Sequence, residues 1–488
     1  MQSTAIEYQP VIGLEVHVRL LTKSKLFCGD ANAYGGDPNS QTSPVSLGHP
    51  GALPKMNEKA MALAVRMGIA CHSEIQKLNH FSRKHYFYPD LPKGFQVTQH
   101  ENPICNGGFV TINIPGGTRE VRLNHIHLEE DAGKSIHDAD PDNSCIDLNR
   151  AGTPLIEIVS EPDIHSGEEA HAFLSEIRQL IRWLDIGDGN MEEGSLRCDA
   201  NISIRRKGEK KLGTKVEIKN LNSMRFVKKA LEFETQRLIE LLDKGEMITQ
   251  QTRSYDAGNE STFATREKED ADDYRYFPEP DLPPFQLEVE EIERIKSEMP
   301  VLPRARIRNY ITQFGLSAYD AELLSAEKDF SDYFESTLGL LSSAGPAAAK
   351  AVANWMLGPI RFWLNDNKAD ISGFPVTPAR LVELIELVDK GKLSFSAAAS
   401  KIFPVMIKDP LKSAELVASE LNLLQDSDIS SIEKIIDEVL SIQKDKVLEY
   451  KKGKKGLLAL FVGEVMKRSG GRADPKLVNK ILIEKLKE

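Results

Sequence analysis

Three stretches of the chain alternate apolar and polar residues, with charged groups set among aliphatic ones: Val11 to Val18 (VIGLEVHV), Leu155 to Val159 (LIEIV) and Cys198 to Arg205 (CDANISIR). A period of two marks a strand whose two sides meet different surroundings, so Glu15 and His17 share one face, as do Asp199, Asn201, Ser203 and Arg205. A carboxylate on an otherwise apolar strand is costly to bury unless it finds a partner. These faces therefore read as polar working surfaces. The next expected strand, Lys215 to Leu221, brings Lys215, Glu217 and Lys219 together, and Arg206 to Lys211 reads as the basic tip of an antiparallel hairpin.

At 488 residues the chain exceeds what one core normally serves, and several domains are expected. Helical spacing predicts helices at Asn57 to Met67, Gly167 to Leu184 and Ser223 to Lys244. Tyr255 to Pro284, rich in Asp, Glu, Gly and Pro, reads as a long ordered loop or a mobile flap. After Pro300 the texture is helical. Thr377 precedes Pro378 as a cap precedes the first helical position, and Leu381, Leu384, Ile385 and Val388 follow on one apolar face. Asp409-Pro410 is a joint, because the residue before proline is pushed out of the helical region. Ile432, Ile435, Ile436, Val439 and Leu440 resume helical spacing, and Gly470-Gly471 divides the last two helices. The expected class is α+β: an antiparallel-sheet domain at 1–297, an all-α domain at 298–408 and a small helical tail domain at 409–488.

No apolar run approaches the ~20 residues of a membrane helix, and Met1 to Gln9 lacks the pattern of a targeting segment, so a cytoplasmic protein is expected. Five cysteines without CxxC spacing fit reduced thiols in that compartment. The net charge of -11 is unevenly spread. Lys444 to Glu488 holds thirteen Lys/Arg against six Asp/Glu, a formal +7 that leaves -18 for the rest. That asymmetry points to a polyanionic partner for the tail.

Hard cations such as Mg2+ take oxygen ligands and bridge nucleotide phosphates. Glu15, Glu129, Glu130, Asp131, Glu157, Glu192, Glu193, Asp199 and Asn201 supply such ligands, although from composition alone each single carboxylate reads first as a solvated or salt-bridged residue. The usual nucleotide motifs are missing. Gly208 to Lys215 reverses the Lys-Thr order of a P-loop and lies in a hairpin, and Gly187-Asp188-Gly189 lacks the third glycine of a dinucleotide fingerprint. His125, His127 and His137 have no cysteine at finger spacing, which argues against zinc there. A GxSxG elbow is absent, so acyl-enzyme hydrolysis has no support, whereas phosphoryl transfer asks only for cations and positioning. Arg83 to Tyr88 (RKHYFY) interleaves bases with aromatics, suiting either a single-stranded RNA end or inward packing.

Longer runs carry a resemblance: VIGLEVHV from Val11, KHYFYPDLPKGFQ from Lys84, LEEDAGK from Leu128, NRAGTPLIEIVSEPD from Asn149, MEEGSLRCDANIS from Met191, VEIKNLNS from Val216, DYRYFPEPDLP from Asp273 and VGEVMKRSGGRADPKLVN from Val462. The chain resembles the B subunit of the aspartyl/glutamyl-tRNA amidotransferases. The resemblance implies a cradle-shaped kinase domain, a helical domain and a tail that contacts tRNA. It implies ATP- and Mg2+-dependent phosphorylation of the side-chain carboxylate of Glu-tRNA(Gln) and/or Asp-tRNA(Asn), then amidation by ammonia from a glutaminase A subunit, in a heterotrimer with a C subunit. Carried onto this chain, Glu130, Glu15 and His17 are the expected catalytic residues, and Glu15, His17, Glu129, Glu130 and Glu157 the expected metal ligands. Glu192, Asp199 and Asn201 follow as nucleotide or metal contacts. Lys84, Arg150 and the tail residues Lys451, Lys452, Lys454 and Lys455 follow as contacts for phosphate or tRNA. Asp273 to Pro283 is expected to shape the pocket or an intersubunit contact.

One departure stands out. Many relatives place four cysteines suited to zinc near Phe27 to Gly48, whereas this chain keeps Cys28 but has Asp30, Ser43 and Ser46 at the other three positions. No zinc is expected there, and a loop held by packing takes its place. Two other readings stay open from residues alone. A pure RNA adaptor conflicts with the acidic set, since carboxylates repel phosphate without a cation, and a ligase for a free small acid leaves the basic tail without a task.

Overall fold

The computed structural model describes residues 7–136, 140, 142–267, 274–343, 345–424, 429–469, 473 and 475–487. His137, Asp273, Gly470 and Gly471, singled out above, lie outside them. The chain divides into two compact units, Met1–Leu302 and Pro303–Glu488.

Among the described residues, the first unit is built on a thirteen-stranded sheet. Its main path uses β1 (Tyr8–Arg19), β2 (Ser82–His85), β3 (Phe95–Thr98), β4 (Gly117–Glu130), β5 (Pro154–Ser160), β6 (Leu196–Arg206), β7 (Val216–Lys219), β8 (Gln251–Asp256), β9 (Ser261–Glu267) and β10 (Phe277–Pro278). Their order is β9-β8-β7-β6-β1-β5-β4-β3-β2-β10. Every neighbour on this path is antiparallel except β7 and β8. The alternation read from the sequence decides which face is which. Ile12, Leu14, Val16 and Val18 of β1, Ile156 and Ile158 of β5, and Ala200, Ile202 and Ile204 of β6 turn into one core with α1 (Glu58–Ala70), α2 (Gly167–Trp183) and α3 (Met224–Asp243). The opposite face of these strands is left for polar groups, as an antiparallel sheet covered on one side allows.

The three helices start within one residue of the expected positions. The side chains of Asn57, Ser166 and Ser223 accept from backbone N–H groups of the first turn, satisfying donors that a helix leaves unpaired. The expected hairpin of β6 and β7 is present, with Asn201 opposite Glu217. Tyr255 to Glu267 corrects the reading of a loop: it completes β8 and forms β9, the paired edge of the sheet. Its polar composition hid the strands because an edge hairpin buries little on its outer side. Gly133 sits where three segments converge. A Cβ there would come within 2.9 Å of the carbonyl oxygens of Asp90 and Asp147, so only glycine lets them approach.

The second unit is helical throughout its described residues, and the whole chain is α+β. One apolar cluster runs from Tyr310 to Ala418, centred on Phe334, Trp355, Leu384 and Phe403. Pro378 opens the helix Pro378–Asp389 after the cap residue Thr377, as read from the sequence. A second cluster joins Ile432, Ile436, Val439, Phe461, Val465, Val478 and Leu482. The helix Phe403–Lys408 ends at Asp409, yet Ala414 and Val417 beyond that joint still pack in the first cluster. Among the described residues, no helix is long and apolar enough to cross a membrane.

Candidate active site

Register places the charged residues of β6, β1, β5 and β4 in rows on the polar face. His17 lies opposite Arg197 on one side and Glu157 on the other, and Glu157 lies opposite His127. Glu15, two residues back along β1, lies opposite Asp199. Two acidic groupings result, His17 with Glu129 and Glu157, and Glu15 with Asp199 and Glu217, each with ligand atoms within 4.8 Å of one another.

In the first, His17 Nε2 is 3.5 Å from Glu129 Oε1 and 3.4 Å from Glu157 Oε2. His127 Nε2 stands 3.3 Å from Glu157 and 3.7 Å from Glu129. Burial alone would favour neutral His17, but Glu157 and Glu129 outweigh it and carry the imidazole up to about 9. Burial likewise opposes ionisation of Glu157, and its two histidines hold it below the carboxylate range.

The second grouping is all oxygen. Burial, with Glu157 and Asp199 close by, raises the Glu15 carboxyl, so negative charge is crowded here beyond what the protein neutralises. Lys219 offsets part of it, 3.4 Å from Asp199 and 3.0 Å from Glu217. Asn201 donates through Nδ2 to Glu15 Oε1 at 2.8 Å, which fixes the orientation of its amide, because the flipped amide would set oxygen against oxygen. Its Oδ1 is buried and has no hydrogen-bond partner among the described residues. A buried carbonyl without a donor, beside three carboxylates, is a donor set suited to a hard cation.

Thus Glu15, His17, Glu129, Glu157, Asp199 and Asn201 come together. Glu130 does not join them. It follows Glu129 on β4 and faces the other way, ion-paired to Lys93 and accepting the Val97 N–H at 2.9 Å. Glu192 lies exposed on the turn before β6, lining a cavity of about 620 Å³ together with Arg150, Arg197 and Asp199. Arg150 and Arg197 both reach Asp131, at 3.4 and 3.0 Å, and Arg150 also donates to the carbonyls of Ala132 and Gly133. Lys84 stands between two further cavities, of about 220 and 500 Å³, that flank His17 and Glu157. Lys451, Lys452, Lys454 and Lys455 are exposed in the second unit, around the turn before the helix Leu457–Arg468.

Sequence reasoning left His127, Arg197 and Glu217 out of the site. For the first two a signal existed. His127 precedes Glu129 by two residues and Arg197 precedes Asp199 by two, so each shares its neighbour's face. Glu217 needed the β6–β7 register, which only the folded sheet supplies.

The loop after β1 has its own polar knot. Ser46 Oγ donates to Asp30 Oδ2 at 2.6 Å and accepts from the Ser43 N–H at 2.9 Å, while Lys25 Nζ lies 4.0 Å from Asp30. Burial pushes the Asp30 carboxyl up, but the hydrogen bonds of Ser46, Cys28 and Ser43 and the charge of Lys25 outweigh it and leave it depressed. A depressed acid stabilises the fold fully above its unfolded pKa, ~3.9, and loses that contribution as pH falls through the lower folded value. Protection of residues 28–48 against hydrogen exchange, taken relative to the intrinsic rate at each pH, should therefore hold in the wild type down to about pH 4 and fall below it. Asp30→Asn should exchange fast already at pH 7, and equal protection of both proteins at pH 7 would remove Asp30 from this role.

This geometry can be set beside known proteins. Residues 10–293 match the family described as the GatB/GatE catalytic domain, and residues 332–486 match the GatB domain. The chain is 48% identical to the B subunit of the aspartyl/glutamyl-tRNA(Asn/Gln) amidotransferase of Geotalea daltonii, over 99% of this chain and 100% of the relative. It is 48% identical to the protein of the same name from Anaeromyxobacter dehalogenans strain 2CP-1, over 98% and 99%. With that of Thermodesulfovibrio yellowstonii it shares 46% identity over 99% and 100%.

Proposed function

Since the chain belongs to the family of amidotransferase B subunits, we propose that it is the component of a tRNA-dependent amidotransferase in which the carboxylate of a mischarged Glu-tRNA(Gln) or Asp-tRNA(Asn) is phosphorylated and then amidated. The observation that carries this reading is the pair of acidic groupings on one sheet face, with the unpartnered Asn201 Oδ1 beside one of them. Its partners are the glutaminase A subunit and a C subunit, and its setting is the cytoplasm. The family resemblance and the names of the relatives support this assignment.

The groupings His17–Glu129–Glu157 and Glu15–Asp199–Glu217 would each hold one Mg2+, the second with Asn201. Bound there, Mg2+ would neutralise phosphate charge as it shifts during transfer. The residues of the chain do the rest by position. A free carboxylate resists ammonia for want of a leaving group. Its oxygen attacks the γ-phosphorus of ATP, and the bond from that phosphorus to the β-phosphate oxygen breaks, releasing ADP. Ammonia then bonds to the carbonyl carbon, the carbon–oxygen bond to phosphate breaks, and the nitrogen loses protons to phosphate or water. His17 and His127 hold Glu157 between them, and Asp131 fixes Arg197 and Arg150 at the cavity wall, where they can meet phosphate or the tRNA end. Glu192 lines the same wall as a further nucleotide contact. Glu130, paired with Lys93, acts from the other side of β4 rather than in either grouping. No zinc enters this account; the hydrogen bonds around Asp30 and Ser46 hold the loop after β1.

The test is conversion of Glu-tRNA(Gln) by the chain co-purified with its A and C partners, with ammonium chloride as nitrogen donor. Ammonium bypasses the glutaminase, so only the proposed kinase and amidation steps are read. Product that needs ATP and Mg2+ is expected. Wild type without product on either tRNA would return the chain to an adaptor role.

The tail supplies affinity. Lys454 pairs with Glu449 at 3.1 Å and Lys455 covers the Tyr450 ring at 4.3 Å, while Lys451 and Lys452 are exposed. Replacing all four with alanine should raise the tRNA KM at physiological salt, with kcat little changed. The slope of log affinity against log salt should fall by roughly 1 for each phosphate the tail no longer neutralises. An unchanged slope would clear the tail of any part in phosphate binding.

A further inference from the structure

Along β4, His125, His127 and Glu129 follow one another on one face, His125 opposite Val159 and His127 opposite Glu157. One step further the register shifts. Ser160 lies opposite Leu123, so Asn124 is the extra residue of a β-bulge. A bulge breaks the alternation of faces and re-aims a side chain. Strict alternation would send Asn124 to the core side with Ile126 and Leu128, but here it lines the cavity of about 500 Å³ beside His125 and His127. A line of hydrogen bonds begins at this residue. Asn124 Nδ2 donates to Glu161 Oε1 at 2.8 Å, which fixes the amide and leaves Oδ1 as an acceptor. Oδ1 stands 2.7 Å from His125 Nδ1, which therefore carries the proton. Burial first, and then His127, hold the His125 imidazole down to about 4, so it is neutral and its Nε2 is bare. His127 Nδ1, 3.1 Å away, donates to that nitrogen. With Nδ1 so engaged, the His127 ring keeps Nε2 on the side of Glu157 and Glu129, 3.3 and 3.7 Å distant.

We infer that Asn124 and His125 are positioning residues, which orient the His127 ring and through it the carboxylates of the His17–Glu129–Glu157 grouping for the cation that grouping would hold. This rests on the cation reading above and deepens it. Both act through His127 and not on the reacting atoms. A ligating carboxylate turns easily about its last bond, and an imidazole fixed at its far nitrogen takes that freedom away. The bulge is what makes the line possible, because it sets two consecutive residues of β4 on the polar face where a regular strand would offer one.

The experiment is equilibrium binding of Mn2+, the probe cation, read by the loss of its free EPR signal, to the co-purified complex of wild type, His125→Phe, Asn124→Leu and Asn124→Asp. Phenylalanine keeps a ring but has no acceptor for His127. His125→Phe should weaken one class of Mn2+ site about tenfold and leave the other, at Glu15, Asp199 and Glu217, within about twofold. Asn124→Leu should weaken the same class about threefold or more. Asn124→Asp keeps an oxygen for His125 while losing the donation to Glu161, and should recover most of that loss. The double variant His125→Phe with Asn124→Leu should bind no more weakly than His125→Phe alone, since both residues belong to one line. In ammonium-driven amidation the Mg2+ midpoint should rise in His125→Phe with the tRNA KM within about twofold of wild type, and glutamine hydrolysis by the partner reports an intact complex. Unchanged Mn2+ binding in His125→Phe overturns the inference. Equal losses in Asn124→Leu and Asn124→Asp do so as well, because they are what a merely structural bond to Glu161 would give. A raised tRNA KM at an unchanged Mg2+ midpoint would make His125 a substrate contact and overturn it too. Wild type that binds no Mn2+ and forms no product defeats the cation reading itself, a failure seen without any variant. Should His125→Phe not assemble, Asn124→Leu, at an exposed position, carries the test.

Discussion

Glu157→Gln is expected to lower ATP-dependent amidation with ammonium by about 10³-fold, equivalent to ~4 kcal/mol of transition-state stabilisation. The position of Glu157 explains the size of the effect. It sits between His17 and His127 in the strand register, 3.4 and 3.3 Å from their Nε2 atoms, and belongs to the first acidic grouping. Glutamine keeps the shape but removes the charge and turns one acceptor oxygen into a donor. Metal affinity and the orientation of both imidazoles should suffer together. The measurement is kcat at saturating ammonium across a Mg2+ titration. An activity within tenfold of wild type at the same Mg2+ midpoint would take Glu157 out of the metal site. Glutamine hydrolysis by the glutaminase partner should be unchanged, which separates a lost site from a lost complex.

The largest effect on stability is expected at Glu234. Its carboxylate is fully buried in α3, 2.7 Å from Arg237 Nη2 and 2.9 Å from Arg253 Nε, and accepts the hydroxyl of Thr262. It thereby fastens the edge hairpin β8–β9 to the helix beneath it. Glu234→Ala leaves Arg253 and Arg237 without their shared counter-charge in a low-dielectric site, a change that typically costs about 3–5 kcal/mol. In calorimetry of the full chain, the transition of the first unit should fall by roughly 5–10 °C. Hydrogen exchange should place the earliest opening in Gln251–Glu267. A fall of less than about 2 °C, or opening that begins elsewhere, would mean the hairpin is held by its strand pairing alone. Function should suffer only indirectly, because β7, which carries Glu217, is the neighbour that β8 supports.

The local devices of this fold were legible because they depend on neighbours in sequence. Asn57, Ser166 and Ser223 announce helix starts, and the alternation in Val11–Val18 declares that Glu15 and His17 share a face, before any long-range contact is known. The same rule applied backward along β4 and β6 would have added His127 and Arg197. The edge hairpin β8–β9 was read as a loop because period-two contrast fades where one side of a strand packs on little. Glu130 shows a limit of motif reasoning. Glu129 and Glu130 are adjacent in the acidic run, and only the pleat of β4 decides that the first faces His17 while the second meets Lys93.

What the sequence by itself determined was the class of the fold, the family, and the set of acids from which a cation site could be drawn, since composition, period and motif are properties of the chain in one dimension. The tertiary structure alone decided how those acids are divided. Pairing Asn201 with Glu217 and His17 with Glu157 is a matter of register between strands far apart in sequence. Register is chosen by burying the apolar face of every strand at once, because a slip of one residue would turn each strand's core face to water. The same packing set Lys84 beside the rings of Tyr86 and Tyr274, an arrangement no reading of its neighbours in sequence contains.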